Sequence, residues 1–382
     1  MNTQRLSNYR LRLLLQLPYR KGLSLLFILL LAALLSSCSN EDTLGNRYQD
    51  YLDRVANLLD RSPTDAAPLP AIIYPSRRDR LLDIPDFEQG LVEVWDFQRC
   101  GLMSLINQRN SNLGKVMRPS QRFIYENHFW QKLVPCYTKR EKWLAEDSDF
   151  VRRLEDAYQH KKEIRPLVTH QLFFAGKEFE RQFSQSQKAF LPNARPDYQR
   201  VATALRELAR LAESSEQPTD STGFSSPGTV NVAGLEHQLQ IINSQPITHS
   251  LLKSLQITSH SLNQVSQLLE NKLKQRPLCL NGGSTQRSKN LYNVLQKYYL
   301  QGIQPVIAHH ARMANHLLPP LNQIFDSALK AAPDSSLRHF QNRWLSMQNP
   351  EGLWRSFQHA NQRHTAVWNR LLRQCGLFPQ RD

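Results

Sequence analysis

The chain has 382 residues, of which 40% are hydrophobic and 21% charged, with six tryptophans. That is enough apolar material for one large or two ordinary packed domains and excludes a disordered chain. The formal net charge is +15, and residues 1–37 hold five basic residues and no acidic one, so the remainder keeps 43 basic against 33 acidic residues, or +10. Such a balance favours anionic surfaces.

Taken in order, the chain opens with Arg5, Arg10, Arg12, Arg20 and Lys21, followed by the apolar run GLSLLFILLLAALLSSC. A basic flank, an apolar core and small residues ahead of a cut are the three parts of a secretory signal. Gly22 to Ser37 is sixteen residues, short of the roughly 20 that span a bilayer. Leu35-Ser36-Ser37-Cys38 resembles the lipobox of bacterial lipoproteins. That resemblance implies a signal peptide over residues 1–37, a lipid (palmitate-bearing) anchor at Cys38, a tether over 38–46 and a periplasmic body over 47–382. Ser39, where inner-membrane lipoproteins tend to carry Asp, implies transfer to the periplasmic face of the outer membrane. An exported protein has no nucleic acid to meet, and no aromatic-interleaved basic motif is present.

The body reads as all-α, an elongated bundle of long helices. Tyr48, Tyr51, Leu52, Val55, Leu58 and Leu59 follow a 3–4 spacing and predict a helix with one buried face. Five prolines between Ser62 and Pro85 forbid a long helix there. An extended segment is expected instead, with Ile72-Ile73-Tyr74 as a short strand or a docked plug. Phe87 to Ile106 is apolar and helical in pattern. Residues 107–121, NQRNSNLGKVMRPSQ, read as a polar loop in which Gly114 supplies a positive φ. The next helix starts near Ser120 and ends at Pro135. Lys139 to Phe190 is mostly helical, with breaks expected near Pro166 and Gly176. Asp197 leads an amphipathic helix through Val201, Leu205, Leu208 and Leu211. Residues 213–228, ESSEQPTDSTGFSSPG, are the clearest linker, either a subdomain boundary or a long surface loop. The stripe Leu251, Leu255, Leu262, Val265, Leu269 and Leu273 indicates a long packed helix. Pro277 to Ser284 is a turn, Pro305 a kink, and Pro319-Pro320 a start or kink. In the last helix Asn349 caps and Pro350 takes the first position. Trp354, Phe357, Asn361, His364, Trp368 and Leu371 then form its buried stripe.

The run FQRCGLMSLINQRNSNLGKVMRPSQRFIYE, residues 97–126, resembles a family of uncharacterised lipoproteins of Gram-negative bacteria, a domain of unknown function. Cys100, Arg109-Asn110-Ser111, Leu113-Gly114 and Ser120-Gln121 carry the likeness, which implies no activity.

With Cys38 lipidated, Cys100, Cys136, Cys279 and Cys375 remain, an even number in an oxidising compartment. The expected pairs are Cys100–Cys136 and Cys279–Cys375. The first requires the chain to bend at Gly101, fold back at Pro135 or stagger its helices; Cys136 with Cys375 is the alternative. No serine-nucleophile, zinc-helix or phosphate-loop motif occurs. His309-His310 and His316 are poorly spaced for a metal, so no metal, cofactor or catalytic residue is assigned. The candidate binding loop is Arg109, Asn110, Ser111, Asn112, Lys115 and Gln121, suited to a carboxylate or phosphate; the alternative is that these groups cap helices. The expectation is a non-catalytic lipoprotein that binds or scaffolds in the cell envelope, with an envelope protein, peptidoglycan or anionic lipid as partner. The alternative is a helical peptidoglycan hydrolase, for which Glu126, in an aromatic helix, is the one candidate acid.

Overall fold

The computed structural model describes residues 43–62, 68–87, 91–215, 232–275, 277–280 and 282–378. Residues 1–37, Cys38 and most of the 213–228 linker lie outside them. Among the described residues the protein is helical with no strand, as the repeated 3–4 apolar spacings require. The longer helices, numbered in chain order, are α1 (Leu44–Leu58), α2 (Met103–Asn110), α3 (Pro119–Thr138), α4 (Ser148–Phe174), α5 (Tyr198–Ser214), α6 (Leu235–Ser244), α7 (Thr248–Gln275), α8 (Gln286–Val294), α9 (Gln304–Ala328) and α10 (Leu353–Gln374). Helix α1 starts earlier than its apolar stripe suggested and takes in the end of the expected 38–46 tether. Thr43 caps it, its hydroxyl accepting the Asn46 N–H at 3.1 Å and satisfying one of the orphan amides of the first turn.

Two apolar cores form. The larger is built by α1, α5, α6, α7, α9 and α10, with α7 packed along α10 and α5 along α9. Helices α5 and α6, which flank the linker, pack side by side in it. The expected α10 stripe is buried except at the half-buried Asn361, and its two polar members are bonded. His364 Nε2 meets the Tyr51 hydroxyl at 3.0 Å, Trp368 Nε1 donates to that hydroxyl at 2.9 Å, and the Tyr299 hydroxyl donates to Asn361 at 3.3 Å. Helix α10 begins three residues after Pro350, with Gly352 as cap, while Asn349 accepts the Glu351 amide in a local turn. The smaller core lies under Phe97, Leu102, Phe129, Trp130, Leu133, Phe150 and Leu154. Helices α3 and α4 serve both: Phe123 and Val168 belong to the larger, Phe129 and Leu154 to the smaller.

Proline breaks fewer helices than its chemistry predicts. Pro135 sits inside α3, Pro166 inside α4, and Pro319 and Pro320 inside α9. Each forfeits one backbone hydrogen bond, but the flanking apolar residues are buried (Leu133, Val168, Leu318, Leu321), and that packing holds the helical path. The sequence predicts a kink at Pro305; the structure places a π-helical stretch, Leu295–Ile303, directly ahead of it, closed by the Gln304 N–H on Tyr299, which widens the turn before the proline.

Segment 68–87 contains one helical turn, Arg77–Arg80, and no strand; Ile72 is buried and the neighbouring Ile73 exposed. Having no sheet partner, its carbonyls need side-chain donors. Gln256 donates to Pro70 at 2.7 Å, Gln171 to Leu82, and His170 Nε2 lies 2.9 Å from the Arg80 carbonyl. Arg80 is the anchor. It is buried and donates to the Phe174 carbonyl at 2.6 Å, the Pro75 carbonyl at 2.9 Å and Glu180 at 3.1 Å.

Candidate functional site

A cavity of about 690 Å³ opens between α3, α4, the end of α2 and the tail of the docked segment. Its size is within the roughly 300–1,000 Å³ of small-molecule sites. Phe97, Tyr125, Phe129 and Ala157 reach it from the smaller core and Ile164 from the larger, so it sits at their junction.

One wall depends on a break in the apolar stretch 87–106. The chain forms Leu91–Asp96, a tighter turn over Phe97–Cys100, and then a left-handed Gly101 with φ +67° before α2. This bend lets Cys100 meet Cys136, their Cα atoms 5.4 Å apart, within the reach of a disulfide. Cys279 pairs with Cys375, Cα atoms 5.1 Å apart. The same break turns Trp95 outward, 66% exposed, while Val94, Phe97 and Ile106 face the cavity.

The polar stretch 107–121 is mostly helical, not a loop. Ser111 caps a single turn, Asn112–Lys115, its hydroxyl accepting the Gly114 N–H at 3.0 Å. Gln121 accepts the Arg118 N–H at 3.2 Å at the start of α3, and Asn112 is exposed. Those three residues are outside the cavity lining, whereas Arg109, Asn110 and Lys115 are in it. Gly114 is helical and needs no positive φ; the site requires glycine for space, because a Cβ there would collide with the Gln108 and Arg109 carbonyls. That closeness allows Arg109 Nη1 to donate to the Gly114 carbonyl at 2.5 Å.

The electrostatics are organised in pairs. Glu126 and Lys161 are both buried, and Lys161 Nζ donates to Glu126 Oε2 at 2.7 Å. The ammonium also lies 4.7 Å from the Phe129 ring centre, a cation–π arrangement. Asp86 is the other carboxylate on the wall. It accepts from Arg109 at 3.1 Å and is 3.8 Å from Arg122. Arg122 Nε is buried without an acceptor among the described residues, as is His160 Nε2, whose ring packs 5.1 Å from Phe87. Burial lowers the basicity of both side chains. Arg122, His160, Lys161 and Asp86 carry no mark in the sequence. They come from three separated segments, and His160-Lys161-Lys162-Glu163 reads as an ordinary solvated helix face.

The tempting histidines are packing elements. His309 and His310 are buried, His309 against Tyr198 and His310 against Phe190. His364 is enclosed in the larger core. Among the described residues no group of three His, Cys, Asp or Glu side chains converges, and no helix is long and apolar enough to cross a membrane.

The fold and site together define an all-α, disulfide-bonded protein with a cation-lined cavity between two cores. The chain belongs to the family described as "Protein of unknown function (DUF3080)", whose model matches residues 48–379. No curated protein and no solved structure matches it.

Proposed function

We propose that the protein is a lipoprotein of the Gram-negative envelope, anchored through Cys38 at the periplasmic face of the outer membrane, and that its helical body binds a ligand without transforming it. The lipobox at residues 35–38 supports the anchor, and three acyl chains hold far more firmly than one. Two disulfides suit an oxidising compartment.

The cavity carries the choice of binding over hydrolysis. A glycosidase presents one carboxyl as proton donor and usually a second as base or nucleophile. Here Glu126 is bonded to Lys161 and Asp86 to Arg109, so both wall carboxylates are engaged by cations. The wall that remains available is apolar and cationic, which serves recognition.

Two measurements test this reading. Palmitate labelling of cells is expected to mark the wild type and not Cys38→Ala; equal label in both contradicts the anchor. Purified protein incubated with peptidoglycan sacculi is expected to release no soluble fragments. Release that is lost in Glu126→Gln would establish the hydrolase.

A further inference from the structure

We propose that the cavity between α3 and α4 takes a small amphipathic anion, its carboxylate or monophosphate head on Arg122 and its apolar body along Phe97, Ile106 and Phe129. This rests on the reading of the body as a binder and specifies the ligand.

The charges are uneven. Four cations, Arg109, Lys115, Arg122 and Lys161, face two carboxylates, Asp86 and Glu126. Lys161 and Glu126 satisfy each other inside the wall. Asp86 serves both arginines from an exposed position, its side chain 69% accessible, and exposed pairs of this kind contribute little. Arg122 is the unfinished member. Its side chain is only 19% accessible, its approach to Asp86 is 3.8 Å, and its Nε–H has no acceptor among the described residues. A buried donor without a partner is costly, and a guanidinium fork presents Nε and Nη side by side to two oxygens of a carboxylate or phosphate. His160 Nε2, on the same wall and also without a partner, adds a second polar contact from α4.

The rest of the wall selects for a ligand with an apolar body. Phe97, Ile106 and Phe129 line the space beside Lys115, and next to Lys115 in the chain Leu113 and Val116 are both more than 70% exposed. A bare inorganic anion would leave this surface wet. A neutral hydrophobe would leave Arg122 unsatisfied, and an alkyl cation would meet the excess positive charge.

The test is calorimetric titration of the full chain in phosphatidylcholine nanodiscs, with empty nanodiscs subtracted. The probes are hexyl phosphate and hexanoate, against hexanol, hexylammonium and inorganic phosphate. One or both alkyl anions are expected to bind, and affinity is expected to rise about three- to fourfold for each methylene that enters the cavity. A rise continuing from butyl to octyl phosphate identifies a lipid-derived ligand; a rise ending at butyl identifies a short soluble one. Arg122→Gln is expected to weaken the anions at least tenfold with helix content retained. Lys115→Gln, at an exposed position where folding is not at risk, is expected to weaken them a fewfold. Hexylammonium or inorganic phosphate binding as tightly as hexyl phosphate, or equal affinity in both variants and wild type, overturns the proposal. Binding of none of the probes overturns this ligand class too, while palmitate labelling and the sacculus assay decide the underlying reading independently.

Discussion

Replacing Lys161 with Met while leaving Glu126 in place strands a carboxylate in the wall. In the native protein Glu126 is 7% and Lys161 11% accessible at the side chain, with 2.7 Å between the charged atoms. Breaking a buried pair by removing one partner costs about 3–5 kcal/mol, because the remaining charge loses its compensation. Arg122 also acts electrostatically on Glu126, so the loss for Lys161→Met belongs near the lower end, about 3 kcal/mol. Glu126→Leu strands the ammonium instead, and a similar loss is expected. The double variant Lys161→Met/Glu126→Leu buries two apolar side chains of comparable size and is expected to recover most of the stability, because such replacements are often neutral or stabilising. Urea unfolding followed by circular dichroism, arranged as a double-mutant cycle, measures the coupling. Additive losses would refute the ion pair. A neutral Lys161→Met would mean that Glu126 does not depend on Lys161 for compensation, and would favour the hydrolase alternative.

Three further outcomes follow from the same structure. Burial pushes His364 down to about 3 from an ordinary 6.5, so the folded state holds it neutral while the unfolded chain takes up a proton. Its stabilising contribution is complete above pH 6.5 and falls through the window down to about 3, by about 1.4 kcal/mol per pH unit. His310, pushed down to about 4 mainly by burial, acts in the same direction; His364→Gln should flatten the acid limb of a melting-temperature profile, and an unchanged slope would count against the assignment. Gly114→Ala should displace the Arg109 side of the cavity by collision with the Gln108 and Arg109 carbonyls, visible as loss of hexyl phosphate affinity; wild-type affinity would show that the turn adapts. Replacing Cys279 and Cys375 by Ser should cost about 5 kcal/mol by loop entropy and replacing Cys100 and Cys136 about 4; Cys100 and Cys136 pack in the smaller core that supplies Phe97 and Phe129 to the cavity, so ligand affinity should fall in that variant and not in the other.

Much of the helical scaffold is legible in the sequence because burial on one face writes a 3–4 spacing. Leu251 to Leu269 in α7 and Trp354 to Leu371 in α10 are such cases. Local chemistry misleads where packing outweighs it, as at Pro135, Pro166 and Pro319-Pro320. The 107–121 stretch reads as a loop because Asn, Ser and Gly favour turns, yet the same residues serve as the caps and close contacts of short helices. Its Arg109 and Lys115 can be picked out by charge. Arg122 and Lys161 cannot, since their importance arises from being brought to one wall from α3 and α4, and nothing in either helix's own pattern separates them from solvated neighbours.

The most direct measurement is a crystal structure of the protein with hexyl phosphate. The predicted result is a phosphate oxygen about 3 Å from Arg122 Nε, with the alkyl chain against Phe97 and Phe129. A phosphate held elsewhere, or an Arg122 Nε turned onto a protein acceptor with the cavity holding no probe, would contradict the account.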